Sequence, residues 1–339
     1  MNADATIVTT WYTRHVTLLA ALLWPLSLPY RAVVALRRAL FRGGWLRAER
    51  LPVPVVIVGN ITVGGAGKTP LTCALADALR ASGHRPGIVS RGYGGNATGA
   101  RAVALNDDPR VVGDESPIFA AMGLPVWIGR DRVAAARGLL AAHPDCDVIL
   151  ADDGLQHYRL ARTMEIAVVD ADRELGNGLM LPAGPLREPA SRLAQVDAVV
   201  RLVAPDAPPV LPRDGRATQM RHVALPWRNL VESGRGADPP AWRGHPVHAV
   251  CGTGNPSRFF AMLRGMGIAA HEHSFPDHHF FVAADLAFPG AAAILMTQKD
   301  AVKCAGFADL RCWYLPVRAQ VDPALTALVE ETIRGFKAA

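Results

Sequence analysis

A β-branched run, a glycine-rich loop and an alanine-rich amphipathic stretch follow one another over residues 54–82, and no other segment restricts the fold so sharply. The run PVVIVGN reads as a buried strand, the loop ITVGGAGKTP carries Gly64, Gly65 and Gly67, and the stretch from Lys68 onward has helical periodicity. Strand, glycine loop and helix in that order form a phosphate-binding loop. Glycines let backbone amides turn toward phosphate oxygens, Lys68 neutralises β and γ charge, and Thr69 offers a hydroxyl to magnesium. The expected nucleotide-binding set is Thr62, Val63, Gly64, Gly65, Ala66, Gly67, Lys68 and Thr69. One position departs from G-x-x-x-x-G-K-[ST]: Thr62 stands where the first glycine belongs, and Val63 stands where a variant group of such loops carries lysine.

Beyond Pro52, short β-branched runs alternate with alanine-rich stretches, which is the pattern of a mostly parallel α/β sheet. Strands are expected at 54–59, 87–90, 125–128, 147–151, 165–169 and 198–203, with helices at 68–82 and 130–142. Residues 204–245, rich in proline, glycine and arginine, read as a connection between lobes. A second unit follows, with strands at 247–251 and 292–296 and helices at 256–266 and 323–336. The expected division is an N-terminal membrane-interface segment over 1–50, a P-loop core over 51–225 and a smaller α/β lobe over 226–339.

Several further motifs carry carboxylates, arginines or histidines. DVILADDGLQH ends a hydrophobic strand on Asp152 and Asp153, where an acidic residue orders magnesium beside a P-loop; a turn or helix cap would use the same residues. In VGDESP, Asp114 and Glu115 precede a helix, which suits N-terminal capping as well as handling of an acceptor proton. SRGYGG brings Arg91 to a strand end beside glycines, and LPAGPLREP adds Arg187 and Glu188, for which phosphate binding and a structural ion pair are both open readings. FPDHHFF sets His278 and His279 among aromatic residues without zinc-like spacing. CGTGN, with Gly252 and Gly254, suggests a backbone that approaches a ligand or the other lobe. TQKDAVK differs from a guanine-reading NKxD by the position of Lys299, which favours ATP over GTP.

Five of the six excess positive charges fall in residues 1–50, where seven arginines face Asp4 and Glu49. That asymmetry argues against a nucleic-acid footprint and for an anionic membrane surface. The uncharged run from Val16 to Tyr30 is shorter than the roughly 20 residues that span a bilayer and contains Pro25 and Pro29. Its arginines follow it, unlike those of a secretory signal. The reading is a peripheral or monotopic interfacial anchor, with Trp11, Tyr12 and Trp24 entering the headgroup region; a helical hairpin packed on the protein's own core is the alternative. The five scattered cysteines suggest neither disulfides nor structural zinc.

Taken in order, VGNITVGGAGKTP, SRGYGG, VGDESPIFA, ADDGLQH, LPAGPLREP, FPDHHFF and TQKDAVK resemble the tetraacyldisaccharide 4'-kinases of lipid A biosynthesis, from Trp24 to Lys303. The resemblance implies two α/β lobes around a cleft and transfer of the ATP γ-phosphoryl to the 4'-hydroxyl of a lipid-linked glucosamine disaccharide 1-phosphate. It implies the cytoplasmic face of a bacterial inner membrane, and within the family a serine or threonine at position 62 is ordinary. It also implies Asp114 as a catalytic residue partnered by one histidine, taken as His278 over His279, with Lys68 and Arg187 catalytic. ATP and Mg2+ are the implied cofactors, with Thr69, Asp152, Asp153 and Glu115 around the metal, and no obligate protein partner is inferred. A P-loop GTPase or metal-insertion chaperone, and a P-loop ligase for a soluble carboxylate, are the competing classes.

Overall fold

The structure, a computed structural model, describes residues 8, 10–13, 15–205, 207, 217–232, 234–237, 242 and 244–337. The β-branched runs become β1 (Val55–Gly59), β2 (Pro86–Ser90), β4 (Val126–Ile128), β5 (Val148–Asp152), β6 (Met164–Asp170) and β7 (Ala198–Val203). To these the first sheet adds β3 (Arg101–Ala102), β8 (Ala217–Ala224) and β15 (Val317–Val321). Their order is β15-β8-β7-β6-β1-β5-β2-β4-β3, and the run from β8 to β4 is parallel throughout, with antiparallel strands at both edges. Strands β1, β2 and β5 are buried along their whole length, as a parallel sheet covered on both faces requires. Helix α2 (Lys68–Ala81) packs on one face, and α5 (Arg132–Ala142) on the other. Two four- to five-residue helices, α3 (Pro109–Val112) and α4 (Ser116–Ala120), lie between β3 and β4.

This order places the chemistry. β1 and β5 are parallel neighbours with Val58 opposite Asp152, so the phosphate loop and the paired aspartates leave the same edge of the sheet side by side. Ligands of open parallel sheets bind at that carboxyl edge.

The second sheet holds β9 (Trp227–Asn229), β10 (Gly236–Ala237), β11 (Val247–Cys251), β12 (His271–Ser274), β13 (Ala293–Thr297) and β14 (Cys312–Leu315), in the order β10-β9-β14-β13-β11-β12. Helices α6 (Pro256–Gly265) and α7 (Gln298–Cys304) accompany it. The final helix, expected in this lobe, leaves it, together with a strand, β15, that the sequence did not mark. β15 pairs with β8 in the first sheet, and α8 (Pro323–Arg334) buries Leu325, Val329 and Ile333 in the same core as Leu71, Leu75 and Leu79 of α2. An amphipathic helix docks wherever an apolar face is open, and its sequence does not say which lobe supplies one. The segment expected as a connection over 204–245 contains β8, β9 and β10, while its residues 206, 208–216, 233, 238–241 and 243 lie outside the described ones. β8 fully buries only Met220, so it lacks the alternation that marks a strand.

The N-terminal segment also differs from expectation. Helix α1 (Leu18–Arg42) runs 25 residues, through Pro25 and Pro29 and on past the first arginines, and by length and composition is long enough to cross a membrane. It rests on the first lobe along a narrow stripe: Ala20 and Ser27 are buried, the Ser27 hydroxyl donates to Met180 O (2.8 Å), and Tyr30 and Val34 reach the core. Leu18, Leu22, Val33 and Leu36 stay more than 60% exposed. Trp11 and Tyr12 do not share that exposed face. Trp11 is buried and donates from its indole nitrogen to Pro182 O (3.0 Å), and the Tyr12 hydroxyl donates to Val63 O (2.7 Å).

Candidate active site

The phosphate loop turns on Gly64 and Gly67, whose φ angles of +95° and +88° suit glycine alone. At Gly67 a side chain is excluded twice, because a Cβ would also stand 2.8 Å from the Leu202 and Met220 side chains. Gly67 caps α2, so the helix's first free amides face the loop. Thr62 and Ala66 are buried, and the Thr62 hydroxyl accepts from the Asn60 amide (3.3 Å). Lys68 Nζ lies 3.2 Å from Asn60 Oδ1 and 3.6 Å from Asp153 Oδ1.

Asp153 also takes both guanidinium nitrogens of Arg187 at 3.2 Å, and Arg187 Nε donates to Thr62 O at 3.0 Å. Burial opposes ionisation of Asp153, but Lys68 and Arg187 outweigh it and hold the carboxyl well below the usual range. Asp152 behaves in the opposite way. Full burial, reinforced by the nearby Glu115 charge, pushes it up to about 7. One of its oxygens accepts from the Thr72 hydroxyl (3.1 Å), and the other is buried without a partner. Glu188, adjacent to Arg187 in sequence, points away: it accepts from Gln156 (2.9 Å) and Tyr158 and pairs with Arg192 and Arg38. The ion pair with Arg187 that their adjacency left open is therefore not made.

The second lobe closes over this edge. His278 Nδ1 lies 3.0 and 3.1 Å from the two oxygens of Asp114, which is 3% exposed. Lys299 and Lys303, four residues apart on α7, each approach the same carboxylate at 3.7 Å; Lys299 also meets Glu115 (3.2 Å), and Lys303 meets Asp300 (2.8 Å). Burial would raise the Asp114 carboxyl, but His278 and the two lysines prevail and hold it below its ordinary value. An ionised carboxylate only accepts, so the facing Nδ1 carries a proton, while Nε2 lies 3.7 Å from Asp277 Oδ1. His279 is engaged elsewhere, with Nε2 on Asp285 (2.9 Å) and its ring on Phe275. His278 takes a left-handed backbone (φ +59°) and lays its ring against Tyr93 of the SRGYGG loop. Gly254 of CGTGN abuts the phosphate loop so tightly that a Cβ there would stand 2.4 Å from Gly65 N.

Asn60, Lys299 and Lys303 were not singled out in the sequence as site residues. The i, i+4 spacing of the two lysines, which places both on one helix face, was the available signal.

Two cavities meet at Lys68 and Asp153. One of about 210 Å³ is lined by residues 65–70 of the loop, Glu115, Thr253–Asn255 and Lys299, with Leu202, Phe259 and Met262 as apolar walls. The other, about 420 Å³, lies at the foot of α1 between Tyr30, Val34 and Arg37 and the side chains of Arg91, Arg130, Arg132, His157 and Arg187. Burial first, and Arg132 second, lower His157 to about 4, so it stays neutral among the arginines. Lys68 lines the first cavity and Asp153 the second, and their contact joins the two. Among the described residues, no group of three or more His, Cys, Asp or Glu forms a protein-only metal cage.

Residues 19–334 match the family model described as tetraacyldisaccharide-1-P 4'-kinase. A tetraacyldisaccharide 4'-kinase from Azoarcus sp. (strain BH72) is 51% identical over 317 residues, covering 93% of this chain and 92% of the relative. One from Alkalilimnicola ehrlichii is 50% identical over 330 residues, covering 95% of each. A crystal structure of LpxK from Aquifex aeolicus in complex with ATP superposes with a TM-score of 0.78 at 28% identity, over 93% of this chain and 100% of that one. With the phosphate loop, the paired aspartates and the second-lobe histidine and lysines set around one cleft, the chain is a kinase that belongs to the tetraacyldisaccharide-1-P 4'-kinase family.

Proposed function

We propose that the chain transfers the γ-phosphoryl of ATP to the 4'-hydroxyl of a tetraacyldisaccharide 1-phosphate, held at the cytoplasmic face of a bacterial inner membrane. The observation that carries this reading is the Lys68–Asp153 contact, which stands where a phosphate-loop cavity meets an arginine-lined cavity at the base of the apolar helix. ATP fits the first: loop amides and Lys68 take the β and γ phosphates. A sugar phosphate fits the second, where Arg91, Arg130 and Arg132 offer charge for a 1-phosphate and α1 offers an apolar surface for acyl chains.

In the transfer, the 4'-oxygen attacks the γ-phosphorus, the bond to the β–γ bridging oxygen breaks, and ADP departs. The hydroxyl proton passes to the Asp114–His278 pair, while Lys68 and Arg187 offset charge on the moving phosphoryl group. Thr69, Asp152, Asp153 and Glu115 would hold Mg2+, and the partnerless buried oxygen of Asp152 suits such a ligand. Magnesium is ordinarily held by one or two carboxylates together with substrate phosphates, so a protein-only cage is not needed. When bound, it neutralises charge on the β and γ oxygens.

The test is incubation with γ-labelled ATP and a panel of acceptors: the tetraacyl disaccharide 1-phosphate, the same lipid blocked at the 4'-hydroxyl, soluble glucosamine and a small carboxylate. Label is expected at the 4' position of the first alone. Phosphate release at an unchanged rate without acceptor would instead make the protein a nucleotide switch, and labelling of the carboxylate would make it a ligase.

A further inference from the structure

The segment ahead of the membrane helix reaches the nucleotide site. The Trp11 side chain is buried with its indole bonded to Pro182 O, and its backbone carbonyl accepts from Asn177 N (2.7 Å). Gly176 (φ +60°) approaches that carbonyl so closely that a Cβ there would stand 2.3 Å from it. Trp11 is thus clamped on the first lobe rather than left to the lipid.

The clamp puts the Tyr12 hydroxyl on Val63 O at 2.7 Å, inside the phosphate loop. Over the Tyr12 ring sits the Arg173 guanidinium, 4.6 Å from the centroid, and Arg173 also donates to Gly254 O of the second lobe. At Gly64 the three meet: a Cβ there would find Gly254 O, Arg173 and the Tyr12 hydroxyl, all within 3.9 Å. Arg173 is itself set by the turn after β6, where Asp170 accepts from its amide and also binds Asn255 and Arg258 of the second lobe. One side chain from the N-terminus, one from the first lobe and one backbone oxygen from the second therefore meet on the glycine loop.

A loop binds phosphate through its amides, and that requires its carbonyls to point elsewhere. We infer that Tyr12 is a positioning residue for ATP: by holding the Val63 carbonyl outward, with Arg173 as the brace to Gly254, it keeps the Gly64 and Gly65 amides turned toward the phosphates. This rests on ATP occupying the phosphate loop, and it gives the residues before the membrane helix a part in nucleotide binding.

The test uses the full chain in detergent micelles with the lipid acceptor. Tyr12→Phe removes the hydroxyl and keeps the ring under Arg173. KM for ATP should rise about three- to tenfold, the worth of one neutral hydrogen bond, with kcat and the KM for the lipid within twofold of wild type. Arg173→Lys, which keeps the charge but loses the planar brace, should raise the same KM, and the double variant should be no worse than the more damaging single one. An ATP KM within twofold of wild type for Tyr12→Phe, a shift in the lipid KM instead, or effects of the two variants that multiply would each overturn the inference. Lys68→Ala is the control: turnover that survives it removes ATP from the loop altogether, whereas its loss beside an unaffected Tyr12→Phe defeats only the role of Tyr12.

Discussion

Asp114→Asn probes the proposed proton-handling step. The change keeps the shape of a side chain that is 3% exposed, removes its charge and turns one acceptor oxygen into a donating amide. Both lysines that face it retain partners, Lys303 on Asp300 at 2.8 Å and Lys299 on Glu115 at 3.2 Å, so no buried ammonium is stranded. The stability cost should be that of a weakened buried hydrogen bond, about 1–3 kcal/mol, below the 3–5 kcal/mol of an abandoned buried charge. Catalysis should suffer more. A positioned base contributes about 10²–10⁴ in rate, or roughly 2.7–5.4 kcal/mol of barrier, and kcat should fall by that factor with KM for ATP little changed. His278→Ala should cost a similar amount, because the proposed transfer uses the imidazole and the carboxylate, 3.0 Å apart, as one unit. Single-turnover rapid quench with γ-labelled ATP reads the chemical step, and an undiminished ATP-induced rise in Tm reports an intact nucleotide site. The double variant should be within about threefold of the worse single one. Losses that multiply, or an Asp114→Asn enzyme within tenfold of wild type, would refute the pair.

Asp152, raised to about 7 in the folded protein, binds a proton that the unfolded chain releases near its ordinary value of about 4. Without metal, stability should therefore decline as pH rises between about 4 and 7 and level off above; Tm in EDTA should show that slope, and Asp152→Asn should flatten it. Replacing the exposed Leu18, Leu22, Val33 and Leu36 with glutamine should release the protein from membrane pellets with Tm nearly unchanged, since these side chains touch little of the protein; continued sedimentation would place lipid contact elsewhere. Lys68→Ala should lower turnover by orders of magnitude with folding retained, read by the same label transfer.

What could be read without coordinates was whatever is local in the chain. The order of strand, GGAGKT and helix is a contiguous signal, and a strand ending in Asp152 and Asp153 announces itself by burial and charge together. Asp114 and His278 stand 164 positions apart, so their contact came from family resemblance and not from any spacing. Trp11 and Tyr12 were misplaced because an aromatic pair beside an apolar run looks the same whether it meets headgroups or a protein groove; the deciding partners, Pro182 and Val63, are remote in sequence. Pro25 and Pro29 suggested a broken segment, yet α1 passes through both. Glu188 shows the converse limit, since adjacency to Arg187 said nothing about direction.

The route of the chain between the sheets has one more implication. It leaves the first sheet after β8 and re-enters it at β15, with Val317 opposite Ala224 and Leu225 N bonded to Pro316 O at 2.9 Å. The second lobe is thus carried at the tip of a single β-hairpin, where a turn of two residues would otherwise suffice. Lengthening such a tip adds about 0.6 kcal/mol of closure entropy per doubling, a cost that the guest's own core can offset. Any flexing of that hairpin would therefore move His278, Lys299, Lys303 and Gly254 together with the lobe that carries them, taking the imidazole, both ammonium groups and the contact on the glycine loop away at once.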